Sequence, residues 1–156
     1  MSTEAQRGSF VERMGAALTS AGLARLPSRI FAALLIDEDG RMTAAEIGET
    51  LGVSPAAVSG AVRYLDGVGM VRRERERGSR RDVFVVDDDA WHDTLLRADQ
   101  IYAPMQAALR RAIEQLSPQD PAHRRLRMSH EFLAFMLEEL GSMDERWAAR
   151  VKELDL

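Results

Sequence analysis

Thr43-Ala44-Ala45-Glu46-Ile47-Gly48-Glu49-Thr50-Leu51-Gly52-Val53-Ser54-Pro55-Ala56-Ala57-Val58-Ser59-Gly60-Ala61-Val62-Arg63-Tyr64-Leu65, and then Gly69-Met70-Val71-Arg72-Arg73-Glu74-Arg75-Glu76-Arg77-Gly78-Ser79-Arg80-Arg81-Asp82-Val83-Phe84-Val85-Val86, is the stretch whose reading decides the fold. Thr43 and Glu46 stand at capping-box spacing, which opens a short helix by satisfying backbone N–H groups at both residues. Ile47 and Leu51 give that helix a buried face, and Gly52 to Pro55 turn the chain. Ser54 is a good cap and Pro55 is tolerated in a first turn, so a second helix runs from Ala56 to Gly69. Val58, Ala61, Val62 and Leu65 point inward from it. Met70 to Val86 then reads as two strands around a glycine-containing, arginine-rich tip. Helix, tight turn, helix and basic hairpin, in that order, make a winged helix-turn-helix, an architecture whose second helix fits the major groove of double-stranded DNA.

Upstream, Phe10, Met14, Ala17, Leu18 and Ala21 recur at helical spacing before Gly22, predicting a first helix over about 5–22. Pro27 suits the first turn of a second helix with Ile30, Phe31, Leu34 and Leu35 on its core face. Asp37 to Gly40 end it, and Arg41-Met42 is a candidate short strand. Downstream, Asp87-Asp88-Asp89 reads as a helix start, because carboxylates favour the positive end of the helix dipole. Trp91, Leu95, Ala98, Tyr102, Met105, Leu109, Ala112 and Leu116 then alternate at spacings of four and three, a heptad seam. A helix of roughly 28 residues extends about 42 Å, more than a small winged unit needs for itself. Pro104 inside it predicts a kink near Gln100 to Tyr102. After Ser117 to Pro121, a last helical region carries Leu126, Leu133, Met136, Leu140, Met143, Trp147, Val151 and Leu154. Gly141-Ser142 is a candidate break, since Ser142 and Glu145 again stand at capping-box spacing.

The fold expected is therefore mainly α with a small β-hairpin wing, flanked by N- and C-terminal dimerisation helices. Its expected segments are 1–26 for the N-terminal dimerisation helix, 27–87 for the winged unit and 88–156 for the C-terminal dimerisation region. The apolar seams exceed what a unit of that size can cover, which argues for a homodimer; packing within one chain is the other use for them. Two recognition helices one DNA turn apart, about 34 Å, match a palindromic operator.

Charge placement agrees with a DNA ligand better than the total does. The net charge is −4, yet residues 53–86 carry 7 basic and 4 acidic groups, and Arg72 to Arg81 alone sum to +4. The local sign sets the field that a phosphate backbone meets. Of the 21 basic residues 20 are arginine, which with 22 alanines reflects a GC-rich coding bias as much as guanidinium chemistry. On the second helix, Ala56, Ala57, Ser59, Gly60 and Arg63 form the outward face. Small residues admit base edges closely, Ser59 donates or accepts, and Arg63 reaches a guanine or a phosphate. Thr43 and Ser54, at the two helix starts, and Arg75, Arg77, Ser79, Arg80 and Arg81, at the wing, complete the candidate DNA-binding set. A wing of this kind lies along the backbone or enters the minor groove. The competing reading is a solvated helix face and a charge run paired locally through Glu74, Glu76 and Asp82.

Leu51-Gly52-Val53-Ser54-Pro55-Ala56-Ala57-Val58-Ser59, Leu65, Gly69-Met70-Val71-Arg72-Arg73 and Gly78-Ser79-Arg80-Arg81 together resemble the MarR family of bacterial transcription regulators, most nearly its GbsR-like branch. The resemblance covers about residues 27–87, with the flanking helices similar in architecture only. It implies a triangular homodimer with first and last helices interlocked, each subunit placing one recognition helix in a major groove. It also implies repression relieved by a small-molecule effector. The family often has an Asp before the two wing arginines; this chain has Ser79 there, so the resemblance does not fix the pose of Arg80.

Other chemistry is sparse. The chain has no cysteine, and His92, His123 and His130 lack metal-ligand spacing, so no metal and no cofactor is expected. No phosphate-cradling glycine loop and no arguable catalytic triad occur, and an enzyme is not expected. Met1 to Ser9 is polar and no apolar run approaches a membrane span, which leads to the expectation of a cytoplasmic protein without a membrane partner. Met14, Leu18, Phe31, Trp91 and Tyr102 are the candidates for an effector pocket between the dimer helices and the winged unit, and every one of them fits equally as core. The functional alternative to DNA reading is a winged-helix protein-interaction scaffold.

Overall fold

The computed structural model describes residues 3–75, 78, 81–92 and 98–155. The chain groups into two compact units, residues 1–91 and 92–156.

In the first unit, α1 (Thr3–Ser20) packs on α2 (Arg25–Ile36), followed by β1 (Arg41–Thr43), α3 (Ala44–Leu51), α4 (Pro55–Gly67), β2 (Arg72–Arg75) and β3 (Asp82–Val85). The hairpin and Arg41-Met42 join into one antiparallel sheet of order β1-β3-β2, with Met42 opposite Phe84 and Arg73 opposite Phe84 from the other side. Ile30, Phe31 and Leu34 of α2, Ile47 of α3, and Val58 and Leu65 of α4 are fully buried, so the helix faces read from spacing are the ones that meet. Gly40 holds the bend before β1 in the left-handed region at φ 63°, and its carbonyl accepts from the Val86 N–H at 2.8 Å.

Two sequence expectations change here. On α1 the buried stripe is Val11, Gly15 and Leu18, with Phe10 and Met14 partly buried, while Ala17 and Ala21 are exposed. The reason is close approach: a Cβ at Gly15 would sit 3.0 Å from Arg29 Cγ, so the helices meet along the glycine and turn the alanines outward. The chain does turn helical directly after Asp87-Asp88-Asp89, and the second change concerns only the role of Asp87. Its carboxylate goes to Arg72 at 2.6 Å, and the helical residues after it begin at Ala90, whose N–H bonds the Asp87 carbonyl.

The second unit holds α5 (Ala98–Gln115) and α6 (Pro121–Leu154), packed on each other. Leu95 lies outside the described residues, so the seam is seen only in part. Tyr102, Leu109, Ala112 and Leu116 are half-buried and Met105 is exposed. Pro104 sits in the interior of α5. Asp120 caps α6 by accepting from the Ala122 N–H at 2.7 Å, with Pro121 in the first turn. The helix then runs 34 residues without interruption, through Gly141-Ser142. A single glycine costs a helix only about 1 kcal/mol, and the apolar contacts to either side of it outweigh that. No side chain of α6 is fully buried, and Met128, Phe132 and Phe135, at 63%, 62% and 59% exposure, form an exposed apolar stripe at helical spacing. No helix among the described residues is long and apolar enough to cross a membrane.

Candidate nucleic-acid interface

The local chemistry that builds the reader is as the sequence dictates. Thr43 and Glu46 form a true capping box. The Thr43 hydroxyl accepts from the Glu46 N–H at 3.3 Å and donates to the Glu46 carboxylate at 2.8 Å, and that carboxylate accepts from the Thr43 N–H at 2.6 Å. These bonds, the backbone one foremost, hold the Glu46 carboxyl below its ordinary value. Gly52, at φ 65°, ends α3, and Ser54 caps α4 by accepting from the Ala57 N–H at 3.3 Å. Burial of Val58, Ala61, Val62 and Leu65 fixes the rotation of α4 and so leaves Ala56, Ser59, Gly60 and Arg63 exposed, with Ala57 half-buried. A Cβ at Gly60 would meet nothing within 4 Å, so nothing in the described packing requires a glycine there.

An open groove runs between this face and the wing. Thr43, Ala44 and Ala45 line it from the start of α3, Ser59, Val62, Arg63 and Asp66 from α4, and Arg73, Arg81, Asp82 and Phe84 from the sheet. Of the predicted DNA-binding residues, the fold therefore brings Thr43, Ser59, Arg63 and Arg81 together. Arg75 is exposed at the end of β2 but lines a second groove, with Asp39, Arg41, Glu46 and Glu74. Arg77, Ser79 and Arg80 lie outside the described residues. Thr43, although in the groove, already has its hydroxyl engaged in the capping box.

Sequence reasoning named Glu74 and Asp82 as local partners for the wing arginines without saying which arginine each meets, and it did not single out Asp87 or Arg41. Arg72 bonds Asp87 at 2.6 Å and also Glu74, and it is held more firmly protonated, by the Asp87 hydrogen bond first. Glu74 in turn receives Arg41 at 3.4 Å. Arg73 pairs with Asp82, whose carboxyl lies below its ordinary value because of that hydrogen bond. The available signal was the alternation of sign along β2 and its neighbours, which placed these groups on adjacent strands without giving the register.

The candidate effector residues fall on both units. Phe31 is fully buried, Leu18 nearly so, and Met14 packs against the same core. Trp91 is 43% exposed and meets Phe31 edge-on, the ring centroids 5.2 Å apart. Tyr102 is half-buried on α5, in the second unit. Among the described residues, no group of three or more His, Asp or Glu side chains is placed to hold a metal ion.

Comparison with known proteins covers nearly the whole chain. A MarR family model matches residues 21–82, and a model described as an MmpR5-like MarR family transcriptional regulator matches residues 89–150. The chain is 28% identical over 147 residues to the HTH-type transcriptional regulator MmpR5 of Mycobacterium tuberculosis, covering 94% of this chain and 89% of that protein. It is 37% identical over 64 residues to the uncharacterized HTH-type transcriptional regulator YcgE of Bacillus subtilis, 41% of this chain and 42% of the other. A crystal structure of a transcriptional regulator superposes with a TM-score of 0.82 at 27% identity, covering 92% of this chain and 99% of that one.

Proposed function

We propose that the chain is a MarR-family winged-helix transcriptional regulator, a homodimer that reads a palindromic double-stranded DNA operator and represses transcription. The observation that carries the reading is the groove: Ser59 and Arg63 on the outward face of α4 line it together with Ala44 and Ala45 of α3 and Arg81 of the wing. A major-groove reader needs that combination, small residues where base edges approach and cations where phosphates pass. The wing arginines Arg77 and Arg80 extend the same basic run. The exposed stripe Met128, Phe132 and Phe135 on α6 supports a homodimer, because such a contiguous apolar face on a regulator calls for a cover. Met14, Leu18, Phe31, Trp91 and Tyr102 remain the residues proposed to respond to a small-molecule effector that lowers DNA affinity. The GbsR-like affinity rests on the motifs within residues 51–81. A cytoplasmic, non-enzymatic regulator without a cofactor is the corresponding cellular reading.

Asp66 and Asp82 in the groove favour the second reading, a protein-interaction scaffold that holds a basic partner segment and no DNA. Mobility shift at low salt with DNA from the chain's own and neighbouring promoters separates the two. Retardation that survives competitor DNA supports the operator reading. Unaltered mobility with every promoter, at protein concentrations of tens of micromolar, contradicts it.

A further inference from the structure

Arg73 projects from β2 into the groove where DNA is proposed to lie, yet its guanidinium is already occupied. Asp82 of β3 bonds Nη2 at close range, and Asp66 of α4 adds its field to the same guanidinium. One carboxylate from the neighbouring strand thus bonds this cation, a second from α4 acts on it only through its field, and all three side chains line the groove. Folding does not explain the arrangement. Arg73 and Asp82 are 60% and 32% exposed, and exposed pairs of this kind add little to stability. The strands are held by the β2–β3 register and the first strand end by Arg72 with Asp87.

We infer that Asp82, assisted by Asp66, masks Arg73 and holds one phosphate-binding cation of the groove out of use, setting the sequence-independent affinity of the protein for DNA. Asp82 is in this sense a positioning residue that acts through Arg73. The inference rests on the DNA-reading function proposed above. Its physical content is the balance of charge in the groove. Arg63, Arg73 and Arg81 face Asp66 and Asp82, so a groove lined by three guanidinium groups presents little net positive field. Sequence-independent binding depends on the number of phosphates neutralised, and each unmasked cation adds to it. Holding one in reserve weakens binding to arbitrary DNA, and leaves the base contacts of α4 untouched.

The test measures binding of the full chain to a 20-base-pair duplex of arbitrary sequence across a salt series, for wild type, Asp82→Asn, Arg73→Ala and the double variant. Asp82→Asn is expected to tighten binding on the order of fivefold and to steepen the log–log salt slope by about 0.9, the value of one additional phosphate contact. In the Arg73→Ala background the same change leaves the slope where it was. A steeper slope that persists without Arg73 overturns the masking role, as does an Asp82→Asn variant that binds more weakly or with an unchanged slope. Asp66→Asn, on the exposed face of α4, gives a smaller change in the same direction and keeps the inference testable if Asp82→Asn does not fold; no change there overturns it. Wild-type protein that binds no duplex overturns the DNA reading, and this inference with it.

Discussion

Replacing Thr43 by alanine removes the joint between the sheet and the reader. Thr43 ends β1, opposite Val83 of β3, and in the next step caps α3, whose first residues line the groove. The substitution deletes the acceptor for the Glu46 N–H and the hydroxyl that donates to the Glu46 carboxylate at 2.8 Å. Loss of a helix cap costs about 1 kcal/mol, and the bond to a charged carboxylate raises that to roughly 1.5 kcal/mol at an exposed site. For a chain of this size the midpoint of thermal unfolding then falls by about 3–6 °C. Urea unfolding followed by circular dichroism on wild type, Thr43→Ala, Glu46→Ala and the double variant measures it. Because the two residues satisfy one another, the double variant is expected to cost less than the sum of the singles by at least about 0.5 kcal/mol. Strict additivity, or a Thr43→Ala variant within about 0.3 kcal/mol of wild type, refutes the reasoning, since an isolated N-cap without reciprocity gives the first and an unused cap the second.

Acid is expected to weaken the fold through the same contact and its neighbour. The folded-state values of Glu46 and Asp87 lie below their ordinary 4.5 and 3.8, through the Thr43 N–H and Arg72 respectively. Their contribution is therefore complete above the unfolded values and lost as pH falls through the depressed ones; stability that holds between pH 7 and 5 and declines below about 4.5 is the expected profile, and stability that rises on acidification contradicts it. Gly40→Ala places a Cβ 2.8 Å from the Val86 carbonyl oxygen at a left-handed φ of 63°, and a loss of roughly 2 kcal/mol in urea unfolding is expected. Phe31→Ala empties a fully buried site at a cost of about 3–5 kcal/mol. In a Trp147→Phe background, so that Trp91 reports alone, it is also expected to shift the emission to the red by removing the edge contact; unchanged emission denies that contact.

Much of the reader was legible because its signals are local. Thr43 with Glu46, and Ser54 with Pro55, place two helix starts within four residues of their partners, and hydrophobic spacing then fixes which face of α4 is buried. The face left outward follows without further information. The wing was legible as a charged hairpin, but its pairings were not. Register puts Arg73 opposite Phe84 and Arg75 opposite Asp82, and only then does the side chain of Arg73 reach Asp82. Arg72 with Asp87 spans fifteen positions, and no periodicity in the sequence encodes that meeting. The α1 stripe was read in part, Phe10, Met14 and Leu18 correctly and Ala17 and Ala21 not, for a related reason: Gly15 counts as nothing on a hydrophobicity pattern, although the absence of its side chain is what lets α2 approach. On α6 the stripe Met128, Phe132 and Phe135 went unread beside the longer one through Leu126, Leu133 and Met136, because a helix with two apolar faces blurs the period of both.

The central claim is that two copies of α4 read one operator, and hydroxyl-radical footprinting on a duplex enriched from a random pool, combined with the stoichiometry of the retarded complex, measures it most directly. Two chains per duplex are expected, with protected stretches related by a dyad and centred about ten base pairs apart, each weakened by Arg63→Ala. One chain per duplex with a single protected stretch, or an enriched duplex without dyad symmetry, contradicts it.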